Sequence, residues 1–487
     1  MSAKRPLEGN YAATIGVAIA AIAPFIFLGT ALELAAPSIA QTLQADATTL
    51  PVISGLAIAG YAFGALLGGD IIRRFKQRTL FFICETLFIA GCIVAATAQS
   101  IQQYGAGDVL AGLATGLLLV IALPPVVQRF PAKKMPLTSA FINIGFFGAV
   151  TAGPLIGGAI ANSQAWRLLY FGLAFAGLTA FAFATVTLPD NEPQQPDARF
   201  DWSAILLGFC ATFLPFWASG ELAVNGFGSL WFWAPLVVGL ICFAAMIASQ
   251  LRQEEPLAPV KPMLRTIPFC GILVATFGGG VLVTLMDLAE RFEVQIAPNG
   301  PFGAGMLFWP AVAGTLLSAA ALGVLVRTRW LPLLALGGMV LLVVCAALML
   351  LLPQSGAPAL MLFVSALLGV GAGATVAPGL WLAGFSLPST LLGRLFALIE
   401  LVRSEGDFIM APVILQFARS ASAGVTTTVN GVHAAAIATL CVAVLVCGAV
   451  VWLWFAGGAK LQDPDIEGWL DQSQPDKLAL EPGARAA

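Results

Sequence analysis

The stretch Gly148-Ala149-Val150-Thr151-Ala152-Gly153-Pro154-Leu155-Ile156-Gly157-Gly158 sits inside a long uncharged apolar run. Gly145, Ala149, Gly153 and Gly157 recur every four residues, so on a helix they share one face. Small residues on one face let a second helix approach closely in lipid. Pro154 removes a backbone donor and favours a kink. The face is read either as pure packing or as a seam that controls leak and the direction of movement between two bundles.

The rest of the chain is built for the same solvent. Of 487 residues, 59% are hydrophobic and 10% charged, with a mean hydropathy of +0.91. A soluble protein carries roughly 25% charged residues, so lipid is the solvent that suits this composition. The net charge of −2 sets up no strong field for nucleic acid. Eight cysteines all fall in apolar runs without a CxxC pair and read as small apolar side chains. His433 is the single histidine, so neither a His-based metal site nor a catalytic triad can be assembled. No GxxxxGK[ST] phosphate loop is present. An enzyme is therefore not expected, nor is a metal or other cofactor.

A spanning helix needs roughly 20 mostly apolar residues. The runs predict fourteen, at 13–39, 51–71, 80–98, 106–128, 137–161, 167–188, 202–219, 230–250, 267–290, 302–326, 332–352, 358–384, 392–416 and 433–456. The apolar stretch after the short polar start, Met1 to Asn10, is read as a retained first helix rather than a signal peptide. With that start inside, one side of the membrane holds Lys4, Arg5, Arg73, Arg74, Lys76, Arg78, Arg129, Lys133, Lys134, Arg199, Arg252, Lys261, Arg265, Arg327, Arg329, Arg394, Lys460, Lys477 and Arg485. The other side holds only Arg167, Arg291 and Arg419, and Arg403 lies within a helix. This asymmetry predicts both termini in the cytoplasm of a multi-pass inner-membrane protein.

The fold class expected is an all-α polytopic membrane protein: a six-helix bundle over 1–201, a two-helix insert over 202–251, a cytoplasmic linker over 252–266 and a second six-helix bundle over 267–458. The polar tail, 459–487, is expected to be disordered or loosely attached.

A 6+2+6 layout suggests a secondary transporter built from two similar halves. Gly148 to Gly158 resembles the antiporter motif of the major facilitator superfamily. Ala165-Trp166-Arg167-Leu168-Leu169-Tyr170 is similar to the signature that opens helix 6 there. Ala35 to Ala40, Ala304 to Pro310, Gly369 to Gly373 and Leu401 to Gly406 resemble its helices 1, 10, 12 and 13. The likeness points to the fourteen-helix drug:proton antiporter branch. It implies a central cavity lined by helices 1, 4, 9 and 13, export, and a cytoplasmic gating loop at Asp70, Arg73, Arg74 and Arg78. The charges of that loop are kept but its spacing differs from the family's. Asp108 stands where helix 4 usually has an arginine, Leu28 where helix 1 often has an aspartate, and Glu33 where asparagine is common.

Intramembrane charges cost roughly 2.5–3.5 kcal/mol each on the insertion scale and are functional candidates. Glu400, Arg403 and Asp407 share a helical face at i, i+3, i+7, with Arg403 able to pair with either acid. Two acids around one arginine leave one available for proton exchange; the other reading is a neutralised structural network. Glu33, Asp108 and Asp287 are expected to converge with this group as a proton and substrate site, with Arg403 as counter-charge. The alternative for Asp108 and Asp287 is exposure at the outer mouth, and Glu290 and Arg291 are expected at the membrane interface. Gly278, Gly279 and Gly280 are either a hinge or a close-packed surface. Trp309 and Trp381 face lipid or a cavity.

The function expected is proton-coupled export of small amphipathic, cationic or neutral organic compounds by alternating access, driven by protons and working as a monomer or alongside accessory efflux proteins. The alternatives are a metabolite importer (symporter or facilitator), and a transporter-like sensor or assembly partner.

Overall fold

The computed structural model describes residues 5–46, 49–161, 165–193, 195, 196, 200–253, 256–297, 299–422, 428–471 and 473–483. Lys4, Arg199 and Arg485 of the basic set lie outside them.

Among the described residues, fourteen long helices follow in order: α1 (Tyr11–Thr42), α2 (Thr49–Ile71), α3 (Gln77–Ala96), α4 (Ile101–Gln128), α5 (Met135–Ala161), α6 (Trp166–Thr187), α7 (Trp202–Asn225), α8 (Leu230–Arg252), α9 (Thr266–Arg291), α10 (Gly300–Leu325), α11 (Leu331–Met349), α12 (Pro358–Phe385), α13 (Leu392–Ala421) and α14 (Val429–Ala456). Thirteen are long and apolar enough to cross a membrane; α13, with its row of charges, makes up the fourteenth. Several ends extend past the apolar runs because polar caps start the helix early. Ser100 accepts the Gln103 N–H and begins α4 five residues ahead of the expected span, and Thr428 does the same for α14 through Gly431 N–H. Helix α7 runs on to Asn225, where Gly226 takes a positive φ of 68° and ends it. Helix α10 is broken at Leu307–Phe308, since Pro310 has no N–H to donate back to Met306.

Six packing pairs recur. Helix α1 packs on α4, α5 and α6, α2 on α4, and α3 on α4 and α6; α9 packs on α12, α13 and α14, α10 on α12, and α11 on α12 and α14 in the same pattern. The two sets meet along α2–α13 and α5–α10, again a symmetric pair. The α7–α8 hairpin lies outside, with α7 against both α2 and α13.

Glycine decides how close the helices come. Gly60 and Gly64 of α2 face the carbonyls of Val109 and Leu113, while Gly112 and Gly116 of α4 face those of Ala57 and Tyr61, so a side chain at any of them would strike backbone.

The segment after α14 contradicts the expectation of a loose tail. It folds onto the ends of α9, α12 and α14, and Trp469 in its short helical turn Ile466–Trp469 is 1% exposed. The residues that hold it are apolar rings and backbone donors buried by the fold, which a count of polar residues overlooks.

Candidate functional site

The α5 stripe is the first element of the site. Gly145 faces Ile19, and Gly153 and Gly157 meet Thr30 and Ala31, all on α1; Gly158 instead meets Pro301 and Gly305 of α10. One motif thus serves two interfaces, one inside a half and one between halves. A side chain at Gly148 would meet only Ile144 of its own helix among the described residues. Pro154 frees the carbonyl of Val150, and the Thr30 hydroxyl donates to it at 2.9 Å. Further along, the hydroxyls of Thr151 and Thr315 lie 3.3 Å apart, and Asn143 donates to the Gly373 carbonyl at 2.8 Å, both bridging the halves.

On α13, Arg403 binds both acids. Its Nη2 and Nε reach Glu400 Oε2 at 2.6 and 3.1 Å, and Nη1 reaches Asp407 Oδ2 at 2.5 Å. The pairings are three residues back and four residues on from Arg403, which makes this triad local. Two tertiary contacts complete it. The Tyr61 hydroxyl of α2 donates to Glu400 Oε2 at 3.2 Å, linking the two halves, with its ring stacked on Phe25. Gly279 leaves room for the Asp407 carboxylate, which would lie 2.7 Å from a Cβ at that position. Helix α9 runs unbroken through Gly278, Gly279 and Gly280, whose neighbours are Thr375, Asp407 and Met410. The triplet is a close-packed surface here, with no local unwinding.

A second group assembles between the halves. Glu33 of α1 and Asp287, Glu290 and Arg291 of α9 lie near enough to act on one another's charge. Glu33 is exposed, as are Gly29 and Pro37 one turn to either side, while Asp287 and Arg291 are half-buried. Its electrostatic neighbours are on α9, in the other half. Glu290 is 5% exposed and belongs to this group by charge; the turn of α9 that carries it is covered by its neighbours.

Asp108 stands apart. It is 2% exposed, not at a mouth, and its Oδ1 lies 3.0 Å from the Tyr170 hydroxyl, itself 2.9 Å from that of Tyr104. Trp166 packs edge-on to both rings, so Asp108 is tied into the first half.

At the basic end, Asp70 is wholly buried and accepts from Arg73 Nη2 at 2.7 Å and Arg74 Nη2 at 2.6 Å. The polar segment after α6 covers this corner: Gln195 pairs with Arg73, Glu192 with Lys76, and Asp190 with Arg78, while Arg74 lies over the Phe200 ring. The halves are in contact here, with Gln128 Nε2 of α4 donating to the Ser389 carbonyl at 2.6 Å and Gly69 close to Ala397.

Two residues escaped the sequence reading. Tyr61 was findable: the chain has four tyrosines against 33 phenylalanines, and three of the four hydroxyls sit at or beside an intramembrane acid. Glu85 is a lone acid in the apolar run of α3. It is fully buried beside Gly177 of α6, and neither carboxylate oxygen has a hydrogen-bond partner among the described residues.

The family model described as Major Facilitator Superfamily matches residues 15–411. The chain is 26% identical over 372 residues to the tetracenomycin C resistance and export protein of Streptomyces glaucescens, covering 68% of this chain and 67% of that one. It is 24% identical over 314 residues to a multidrug resistance protein B homolog of Mycobacterium tuberculosis, covering 63% and 58%. An uncharacterized MFS-type transporter of Bacillus subtilis, YubD, is matched over 52% of its length, so this chain spans about half to two thirds of such relatives. Among solved structures, a POT family transporter in complex with a thioalcohol conjugated peptide superposes with a TM-score of 0.66 at 13% identity, covering 92% of this chain and 96% of that one. The human organic anion transporter MFSD10 gives 0.59 at 16%, covering 91% and 100%. At such identities these two likenesses concern the fold alone.

Proposed function

The chain belongs to the major facilitator superfamily, and from that premise we propose that it is a proton-coupled exporter of small amphipathic, cationic or neutral organic compounds, working by alternating access. The reading rests on the Glu400–Arg403–Asp407 triad, joined to the other half by Tyr61. One arginine compensates one carboxylate, and the second acid is where a proton or a cationic substrate binds. Glu33 and Asp287 are the proton-linked acids nearer the open side, and acids outnumber arginines across the two groups, which favours a cation or a neutral compound over an anion.

In this reading, units 1–201 and 267–458 rock about the α2–α13 and α5–α10 seams, with 202–251 as an insert and 252–266 as the linker. The α5 stripe and the Asp70 corner control the seam. The basic residues orient the Asp70 corner and both termini towards the cytoplasm of an inner membrane. Contact at the basic end and exposure of Glu33 then correspond to an outward-facing state. Export is supported by what the resistance and export relatives are named for.

The test is transport of a fluorescent organic cation into proteoliposomes under an imposed pH gradient. Glu33→Gln and Asp287→Asn should each abolish the gradient-driven component while substrate exchange without a gradient persists. Unchanged gradient-driven transport in both variants would sink the assignment.

A further inference from the structure

The segment after α14 holds polar groups that two helix ends leave open. The last carbonyls of a helix and its first N–H groups have no partner within the helix. At the end of α12, the Phe385 carbonyl accepts from both Ala479 N–H at 2.9 Å and Leu480 N–H at 2.8 Å. Two residues on, the Leu387 carbonyl accepts from the Trp469 indole at 2.7 Å. At the start of α9, Ile267 N–H donates to Pro482 at 3.0 Å. The contact is also apolar: Trp469 packs edge-on to Phe385 with ring centres 5.1 Å apart, and Phe385 stacks on Trp381. Trp381 therefore faces neither lipid nor a cavity.

The corner so held is where the halves touch at the basic end. Ser389, two residues beyond Leu387, opens the turn Ser389–Leu391, and its carbonyl takes the hydrogen bond from Gln128 of α4. The tail's hydrogen bonds here go to the ends of α9 and α12, so it acts on α4 through the corner.

We propose that this segment is a brace for the basic-end gate, with Trp469 as a positioning residue: by fixing Phe385 to Ser389 it holds the carbonyl to which the opposite half bonds when that end is shut. A brace on one side of the contact favours the shut state over the open one without touching substrate. The inference rests on the two halves separating at this end, and not on what is carried or on proton coupling.

Amide hydrogen exchange of the purified full chain in lipid nanodiscs tests it, with no substrate or gradient present, so failure of the transport assignment leaves this result independent. In Trp469→Ala, exchange should rise about five-fold, as expected for losing roughly one hydrogen bond, both in 385–392 and in 124–130 across the gate. The α2–α3 corner, 70–78, should not change. Trp469→Phe keeps the ring contact and should fall between, and deletion of 459–487 should match or exceed Trp469→Ala. A rise confined to 385–392, a uniform rise through the chain, or no rise overturns the proposal.

Discussion

The corner between α2 and α3 and its counterpart between α10 and α11 gather arginines at the same end of the molecule. Each lies under the polar segment that follows the sixth helix of its half. Their wiring differs. In the first, Asp70 sits three and four residues before Arg73 and Arg74, and the trio is buried. In the second, Arg327 and Arg329 have no acid in their own turn. Asp463 accepts the Arg329 N–H at 2.7 Å, and Glu467 lies 3.7 Å from Arg327, both from the segment after α14. One half carries its carboxylate within the corner, and the other borrows it from more than 130 residues away. The first arrangement persists with the helix end itself. The second exists only while the tail is docked.

The largest break in this comparison should come from Asp70→Asn. It removes the buried carboxylate that Arg73 and Arg74 share, a loss that costs about 3–5 kcal/mol in buried pairs, and it should lower the thermal unfolding midpoint in detergent far more than any change in the second corner. An unfolding midpoint no lower than that of Glu467→Gln would erase the distinction.

A smaller effect is expected from Asp463→Ala, which removes an acceptor worth about 1 kcal/mol. Faster amide exchange limited to 327–331 is the expected sign. Glu467→Gln should cost no more than about 0.5 kcal/mol, because the pair is exposed and screened; a larger loss would make that corner more like the first.

The smallest effect concerns acid. The Lys477 ammonium at 2.6 Å and the Gly468 N–H hold the Asp465 carboxyl below the usual carboxylate range. A depressed value stabilises the docked tail above the unfolded value of about 3.9. That contribution disappears as pH falls through the lower folded one. Amide exchange in 459–471 and 473–483, corrected for intrinsic rates, should stay flat from about pH 7 to 5 and rise only below about 4. A rise already near neutrality would point to another titrating group.

Much of the fold was legible because thirteen of the fourteen described helices advertise themselves by length and apolarity, and because charge sorts the loops. The α13 triad was legible for the same local reason, since i, i+3, i+7 puts three side chains on one face. The convergence expected around it was only partly found. Glu33 and Asp287 act on one another's charge, together with Glu290 and Arg291, while Asp108 turns to Tyr170 and Tyr104 inside the first half. Helix identity shows which residues share a face; it does not show which neighbour that face meets. Tyr61 and Glu85 were missed for different reasons: the partner of Tyr61 is 339 positions away, so only the scarcity of tyrosine pointed to it, and an isolated acid such as Glu85 offers no pattern to read.

What the sequence alone determined is whatever depends on a residue and its neighbours within two turns: the spans, their caps and breaks, the Asp70 and Arg403 ion pairs, and the small face of α5. What only the tertiary structure decided is what depends on contacts between distant segments. Those are the bond from Tyr61 to Glu400, the glycine cradle for Asp407, the division of the α5 motif between α1 and α10, and the docking of a polar tail whose few apolar rings and backbone donors complete helix ends that cannot satisfy themselves.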